Sequence, residues 1–148
     1  MTAKQVLSTL KMRDFAERLI DYEDRRVDAS GSAIPVAFPV CEKLRPQLAN
    51  LMGTIGFRAL LLRALARAAA ELPVMHAIHV KEDGSLALRE AFADPHEFTL
   101  GNVVLVAELL GLLVEFIGEI LTLRILYEVW PTLALHELNL YWTERNPK

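Results

Sequence analysis

The sequence is poor in cysteine, and its first residues lack an apolar signal core; both features bear on the compartment that we expect for the protein. Cys41 is its single cysteine, so an internal disulfide framework is excluded. A chain without disulfides fits a reducing compartment. The N-terminal run MTAKQVLSTLKMRDF contains no apolar signal core. We therefore expect a cytoplasmic protein.

The short motifs of the common enzyme classes are also missing. The sequence has no phosphate-binding GxxxxGK[ST], no GxGxxG, no nucleophile elbow and no CxxC pair. His76 and His79 lie in a predicted strand, where their side chains point to opposite faces, and no cysteine or carboxylate pattern completes a zinc site. The sequence thus predicts no catalytic, cofactor-binding or metal-binding residue, and it favours a non-enzymatic role.

Basic residues are scarce in the second part of the chain, which excludes a nucleic-acid-binding surface there. Residues 1–89 contain 13 Lys/Arg and 10 Asp/Glu, whereas residues 90–148 contain 3 and 9. The whole chain carries a net charge of −3. A nucleic-acid-binding domain needs a basic face and a high isoelectric point. We expect no nucleic-acid partner, and the opposite charges of the two parts can neutralise each other.

The most informative stretch is the apolar run from Asn102 to Trp130. It has no proline before Pro131, and helix-forming residues outnumber the β-branched ones, so it predicts one long helix with almost no polar side. The part from Val103 to Leu123 is long enough to span a membrane. Three glutamates near its middle and the lack of a flanking Lys/Arg cluster argue against a span. A buried helix of a soluble protein is the preferred interpretation.

A line of small residues runs along this predicted helix, and a line of glutamates lies beside it. The proposed helix-packing or interface residues are Ala107, Gly111, Gly118 and Thr122. A glycine inside a helix costs about 1 kcal/mol relative to alanine, and close approach of another helix would offset this cost. The small residues therefore predict a helix-packing face, within the chain or between two copies.

The glutamates Glu108, Glu115 and Glu119 suggest a charge network. A second helix is predicted from Phe57 to Leu72, and we expect its Arg63 and Arg67 to face them. Three interpretations remain open: a solvated helix face, a partly buried ion-pair network, and a proton-handling carboxylate site. The apolar positions of the second helix are Phe57, Leu60, Leu61, Ala64, Leu65, Ala68 and Leu72.

The remaining segments complete a mainly α prediction. We expect a helix over residues 4–26 with an allowed break near Asp14, a connector at 28–35, and a helix from Pro39 that is kinked at Pro46. Gly53 and Gly56 mark a junction before the Phe57 helix. A β-hairpin at about 74–90 and a loop at 91–99 follow. A short helix after Pro131 and a frayed tail at 144–148 end the chain.

The predicted fold is therefore a single-domain helical bundle, residues 1–148, with five to six helices around a long central helix at about 102–130. The run VCEKLRPQLANLMGTIGFRALLLRALA, followed by DGSL and then by VVLVAELLGLLVEFIGEILTLRI, resembles bacterial proteins of unassigned role over about residues 38–130. This resemblance rests on no catalytic motif and implies no activity.

We expect a protein-interaction or regulatory module that self-associates as a homodimer through apolar helix packing. A protein partner of another kind is also compatible with the sequence. The alternatives are a small enzyme or ligand-binding protein that uses Glu108, Glu115 and Glu119, and a membrane-peripheral helical module. The shortage of basic residues after Arg89 argues against the membrane alternative.

Overall fold

The computed structural model describes residues 3–30, 38–89 and 94–131. This part of the chain forms three α-helices, a 3₁₀ turn and a two-stranded sheet. The helices are α1 (Ala3–Ser30), α2 (Pro39–Glu71) and α3 (Pro95–Val129). The 3₁₀ turn is Pro73–Ala77, and the strands are β1 (Ile78–Val80) and β2 (Leu86–Leu88).

α1 is longer and more regular than the sequence suggested. It runs to Ser30 without interruption, so the predicted break near Asp14 is wrong, and residues 28–30 of the predicted connector are helical. Among its described side chains, the buried apolar ones recur every three to four residues: Met12, Phe15, Ala16, Leu19 and Ile20. This spacing places one face of α1 against the core, and the burial of that face stabilises the helix on both sides of Asp14.

α2 is interrupted at a glycine rather than at its internal proline. Pro39 opens the helix as predicted, and Pro46 lies inside it without a change to non-helical dihedrals. Pro46 is exposed, so its ring lies on the solvent side of the helix, where the carbonyl that loses its partner can bind water. The interruption falls at Gly53, with φ 81° and ψ 158°, a conformation that is essentially restricted to glycine.

The predicted β-hairpin is confirmed. Ile78 pairs with Leu88 and Val80 with Leu86 in an antiparallel register. The turn between the strands is stabilised by the Asp83 carboxylate, which accepts hydrogen bonds from the Ser85 amide (2.9 Å) and hydroxyl (2.6 Å). These bonds lower the pKa of Asp83. A Cβ at Gly84 would come within 2.9 Å of the Phe57 ring, so the turn packs directly on α2.

α3 begins earlier than the predicted helix and is not continuous. Asp94 caps it by accepting a hydrogen bond from the His96 amide (2.9 Å), and Pro95 takes the first turn, so residues 95–99 of the predicted 91–99 loop are helical. Trp130 forms the C-terminal cap, close to the predicted end. Gly118, with φ 86° and ψ 165°, breaks the helix inside the stretch that we had predicted to be uninterrupted.

The helices pack around the first part of α3. α3 contacts both α1 and α2 extensively, whereas α1 and α2 contact each other less. An ion pair joins α1 to α2, since Lys43 Nζ lies 2.7 Å from Oε1 of the buried Glu23. Arg13 also pairs with Glu71 at the far end of α2. These contacts place the buried part of α3 between the other two helices.

The described residues contain three α-helices, so the prediction of five to six is wrong. The prediction allowed a break near Asp14, but α1 is unbroken there. The predicted junction at Gly53 and Gly56 coincides with the kink at Gly53, where two helical segments meet within α2. A second kink at Gly118 joins two helical segments within α3. The helix predicted after Pro131 and the tail at 144–148 lie outside the described residues.

Candidate functional site

The predicted line of small residues does not form one face, because the break at Gly118 divides it. Ala107 and Gly111 precede the break, while Thr122 follows it and is buried. The Thr122 hydroxyl donates a 2.8 Å hydrogen bond to the Gly118 carbonyl. A Cβ at Gly111 would meet nothing within 4 Å, so no helix of the described chain approaches closely there.

The predicted charge network is only partly assembled. Arg67 lies between Glu108 and Glu115, with Nη1 and Nη2 each 3.9 Å from a carboxylate oxygen. Arg63 instead places its guanidinium 6.0 Å from the centre of the Phe116 ring. Glu119 is half-buried and directly follows the break. The Arg67 contacts are long and open to solvent, so each contributes about 0–1 kcal/mol to stability.

The most unusual surface feature is a set of exposed large apolar side chains beside the glycine breaks. Leu51 and Ile55 lie two residues before and after Gly53, and Phe116 and Ile120 lie two residues before and after Gly118. Ile55 is 86% exposed, Ile120 is 80% exposed and Phe116 is 61% exposed. Exposed apolar side chains therefore flank both breaks.

After Gly53, α2 carries apolar side chains on both its buried face and its solvent face. Phe57, Leu60, Leu61, Ala64, Leu65 and Ala68 are buried as predicted, and Leu72 is partly buried. The solvent face carries Ile55, Ala59, Leu62 and Ala66, all of them exposed. Their spacing of four, three and four residues is that of a helix-packing seam. This spacing was visible in the sequence, but only one apolar face was expected there.

The exposed parts of α2 and α3 are neighbours. Arg63 follows Leu62 in the chain, and its guanidinium lies over the Phe116 ring of α3. Arg67, one turn further along, lies beside Glu108 and Glu115. We define the apolar surface as Ile55, Ala59, Leu62 and Ala66 of α2 together with Phe116 and Ile120 of α3. Arg63 and Arg67 lie along the boundary between its two parts.

Cys41 lies in the core, where its thiol is poorly reactive. It is 4% exposed, and burial raises the pKa of the Cys41 thiol to about 12, with a smaller contribution from the neighbouring Glu42 carboxylate. Since the thiolate is the reactive form, this environment suppresses nucleophilic chemistry. Within the described ranges, no group of three or more His, Cys, Asp or Glu side chains is arranged to hold a metal ion.

Among the described helices, α2 is the one that is long and apolar enough to cross a membrane by length and composition. Only 33% of its most apolar window is buried within the protein. One helix of this kind is weak evidence for a span, because the core helix of a soluble protein has the same length and composition. The low burial nevertheless agrees with the exposed seam on α2.

No known protein family, curated protein or solved structure matches this chain. The resemblance to bacterial proteins over residues 38–130 therefore stays a prediction. Function has to be inferred from the surface itself.

Proposed function

We propose that this protein is a non-enzymatic interaction module that self-associates as a homodimer through apolar helix packing. The observation that carries the proposal is the apolar surface, in which Ile55 is 86% exposed and Ile120 is 80% exposed. Contiguous apolar patches that are exposed on a soluble protein mark interaction sites, because water contact with them is unfavourable. Covering the surface by a second copy removes that contact.

The make-up of the surface suits a protein partner. Phe116 and Arg63 belong to the residue types that are enriched at protein interfaces. Ala59 and Ala66 let another helix approach closely, because their side chains are short. Between the two parts of the surface, the exposed Glu115 lies beside Arg67, so the polar strip there carries both charges. Protein interfaces commonly combine apolar contact area with polar and charged groups.

Self-association is tested by sedimentation velocity over about a hundredfold range of protein concentration. We expect a reversible monomer–dimer equilibrium in the wild type. Ile55→Glu and Phe116→Glu should each weaken the dimer by about tenfold or more, since each places a charge in the apolar contact. Both positions are exposed, so the thermal unfolding of the monomer should change little.

The matched control is Leu100→Glu. Leu100 is also an exposed apolar residue of α3, at 49%, but it lies 16 residues before Phe116, which is about 24 Å along the helix. The control variant should dimerise like the wild type. If all three variants and the wild type show the same association, the apolar surface is not the contact and the proposal is wrong.

A second candidate, a membrane-peripheral module, is favoured by the apolar composition of α2 and by its arginines Arg58, Arg63 and Arg67. It is tested by sedimentation with vesicles of anionic and of neutral lipid. Binding to vesicles that is lost in Ile55→Glu would support this candidate, and unbound protein in both lipid mixtures would exclude it. The alternative of an enzyme that uses Glu108, Glu115 and Glu119 stays a prediction.

A further inference from the structure

The exposed seam of α2 alternates large and small side chains in a particular order. Ile55 is followed by Ala59, then Leu62, then Ala66, and all four are exposed. Large side chains stand at the first and third positions, and small ones at the second and fourth. Two copies of such a seam fit together only if the large residues of one copy meet the small residues of the other.

We propose that α2 pairs with α2 of a second copy in an antiparallel arrangement, so that Ile55 lies opposite the partner's Ala66 and Leu62 lies opposite the partner's Ala59. This inference rests on the proposed homodimer and specifies its geometry. In a two-fold symmetric contact, residue i meets residue j and j meets i. Both pairs are centred on the same point of the helix, between Leu60 and Leu61, so one two-fold axis generates them together.

A parallel pairing does not give this fit. It places each residue opposite its own copy, so Ile55 meets Ile55 and Leu62 meets Leu62, while Ala59 and Ala66 each face their own copy across a gap. Gaps and crowding at a helix contact both reduce its stability. The antiparallel pairing replaces every like pair by a large residue against a small one.

The flanks of the seam are compatible with the antiparallel contact. Arg58 lies on one side of the seam, where its Nε donates a 3.1 Å hydrogen bond to the Lys81 carbonyl of the hairpin turn. Arg63 lies on the other side of the seam, with its guanidinium over the Phe116 ring. The two-fold axis passes between the two α2 helices and is perpendicular to both. It therefore places α3 of both copies on the same side of the pair. Phe116 of each copy then borders the contact on that side.

The test is a side-chain swap that keeps the composition and changes only the order of large and small residues. Leu62→Ala should weaken the dimer about tenfold, because a buried leucine contact is lost. Ala59→Leu should also weaken it about tenfold, because the new leucine then meets the partner's Leu62. The double variant A59L/L62A places a leucine opposite an alanine again, and its dissociation constant should return to within about threefold of the wild type.

The matched control is the double variant L62A/A66L, which has the same composition as A59L/L62A. It puts the new leucine at position 66 opposite the partner's Ile55, and it leaves the new alanine at position 62 opposite the partner's Ala59. Its dimer should remain about tenfold or more weaker than the wild type. All substituted positions are exposed, and circular dichroism with thermal unfolding verifies that each monomer is folded.

The outcomes separate this inference from the proposed function. A wild-type dimer that is weakened by Ile55→Glu, but in which A59L/L62A binds no better than the single variants, overturns the antiparallel pairing and leaves the apolar surface as the contact. A dimer that ignores Ile55→Glu and Phe116→Glu overturns both. A wild type that stays monomeric at every concentration also overturns both. Recovery in A59L/L62A but not in L62A/A66L supports the pairing.

Discussion

Two stretches of α3, Gly101 to Leu113 and Val114 to Val129, are both rich in apolar residues but differ in how fully they are covered. In the first stretch, every residue is buried except Glu108 and Gly111, which are partly buried. In the second stretch, Phe116 and Ile120 are exposed, although Ile125 and Leu126 are buried. The first stretch lies between α1 and α2, and the second is covered on only part of its surface. An apolar sequence therefore shows that a contact is needed but not which molecule provides it.

The glycines also fall into two groups, those in tightly packed surroundings and those with open space around them. A Cβ at Gly101 would clash with the Met75 sulfur, and one at Gly84 would clash with the Phe57 ring. A Cβ at Gly53, Gly111 or Gly118 would meet nothing within 4 Å. Glycine serves close packing in the first group. In Gly53 and Gly118 it serves a backbone conformation that other residues rarely adopt.

The largest predicted effect is a difference in stability between a substitution in the first stretch of α3 and one in the second. Leu109 is fully buried, so Leu109→Ala should lower the free energy of unfolding by about 2–5 kcal/mol through lost burial and the cavity left behind. Ile120→Ala, at a mostly exposed position, should stay within about 0.5 kcal/mol of the wild type. Chemical denaturation of dilute monomer measures both. Equal losses in the two variants would show that Ile120 is covered within the monomer.

Alanine substitutions at Gly111 and Gly118 should change the stability of the protein by a smaller amount and in opposite directions. Gly118→Ala should destabilise the protein by about 1–3 kcal/mol, because alanine is strained at φ 86° and ψ 165°. Gly111→Ala should stabilise it by about 0.5–1 kcal/mol, because Gly111 is helical and its Cβ position is empty. Thermal unfolding provides the comparison. A stabilising Gly118→Ala would mean that α3 straightens through residue 118 at little cost.

The smallest predicted effect is a loss of folding stability at high pH that is caused by the buried Cys41. Below the ordinary thiol pKa of 9.0, Cys41 is protonated in both the folded and the unfolded chain. As the pH rises from 9.0 toward 12, the unfolded thiol ionises first, so the folded chain loses stability. Between about pH 8 and about pH 10, the wild type should lose about 1 kcal/mol more than Cys41→Ala. Identical pH dependence in the two proteins would show that the folded thiol ionises normally.

The sequence was sufficient for the features that depend on local pattern. The buried face of Phe57 to Leu72, the hairpin around Glu82 to Ser85 and the end of α3 near Pro131 all followed from spacing and turn residues. The start of α3 was also encoded locally, since Asp94 and Pro95 are a cap and a first-turn residue. Both residues lie within the predicted 91–99 loop.

The candidate surface could not be predicted in the same way. Whether Gly118 continues the helix or breaks it depends on what the following residues gain from the core, and a glycine in the sequence is compatible with both. The second apolar side of α2 has alanine at two of its four positions, Ala59 and Ala66, so it resembled an ordinary exposed helix face. Arg63 was expected to pair with a glutamate, but its guanidinium lies over the Phe116 ring instead.

Core residues lie close to both glycine breaks on either side. Leu48 and Phe57 are fully buried before and after Gly53, and Leu113 and Thr122 are buried before and after Gly118. The intervening exposed side chains are therefore preorganised in the free monomer, and a partner would not have to order the backbone that presents them. Recognition at this surface should then proceed without a slow conformational step, with an association rate constant of about 10⁵–10⁷ M⁻¹s⁻¹.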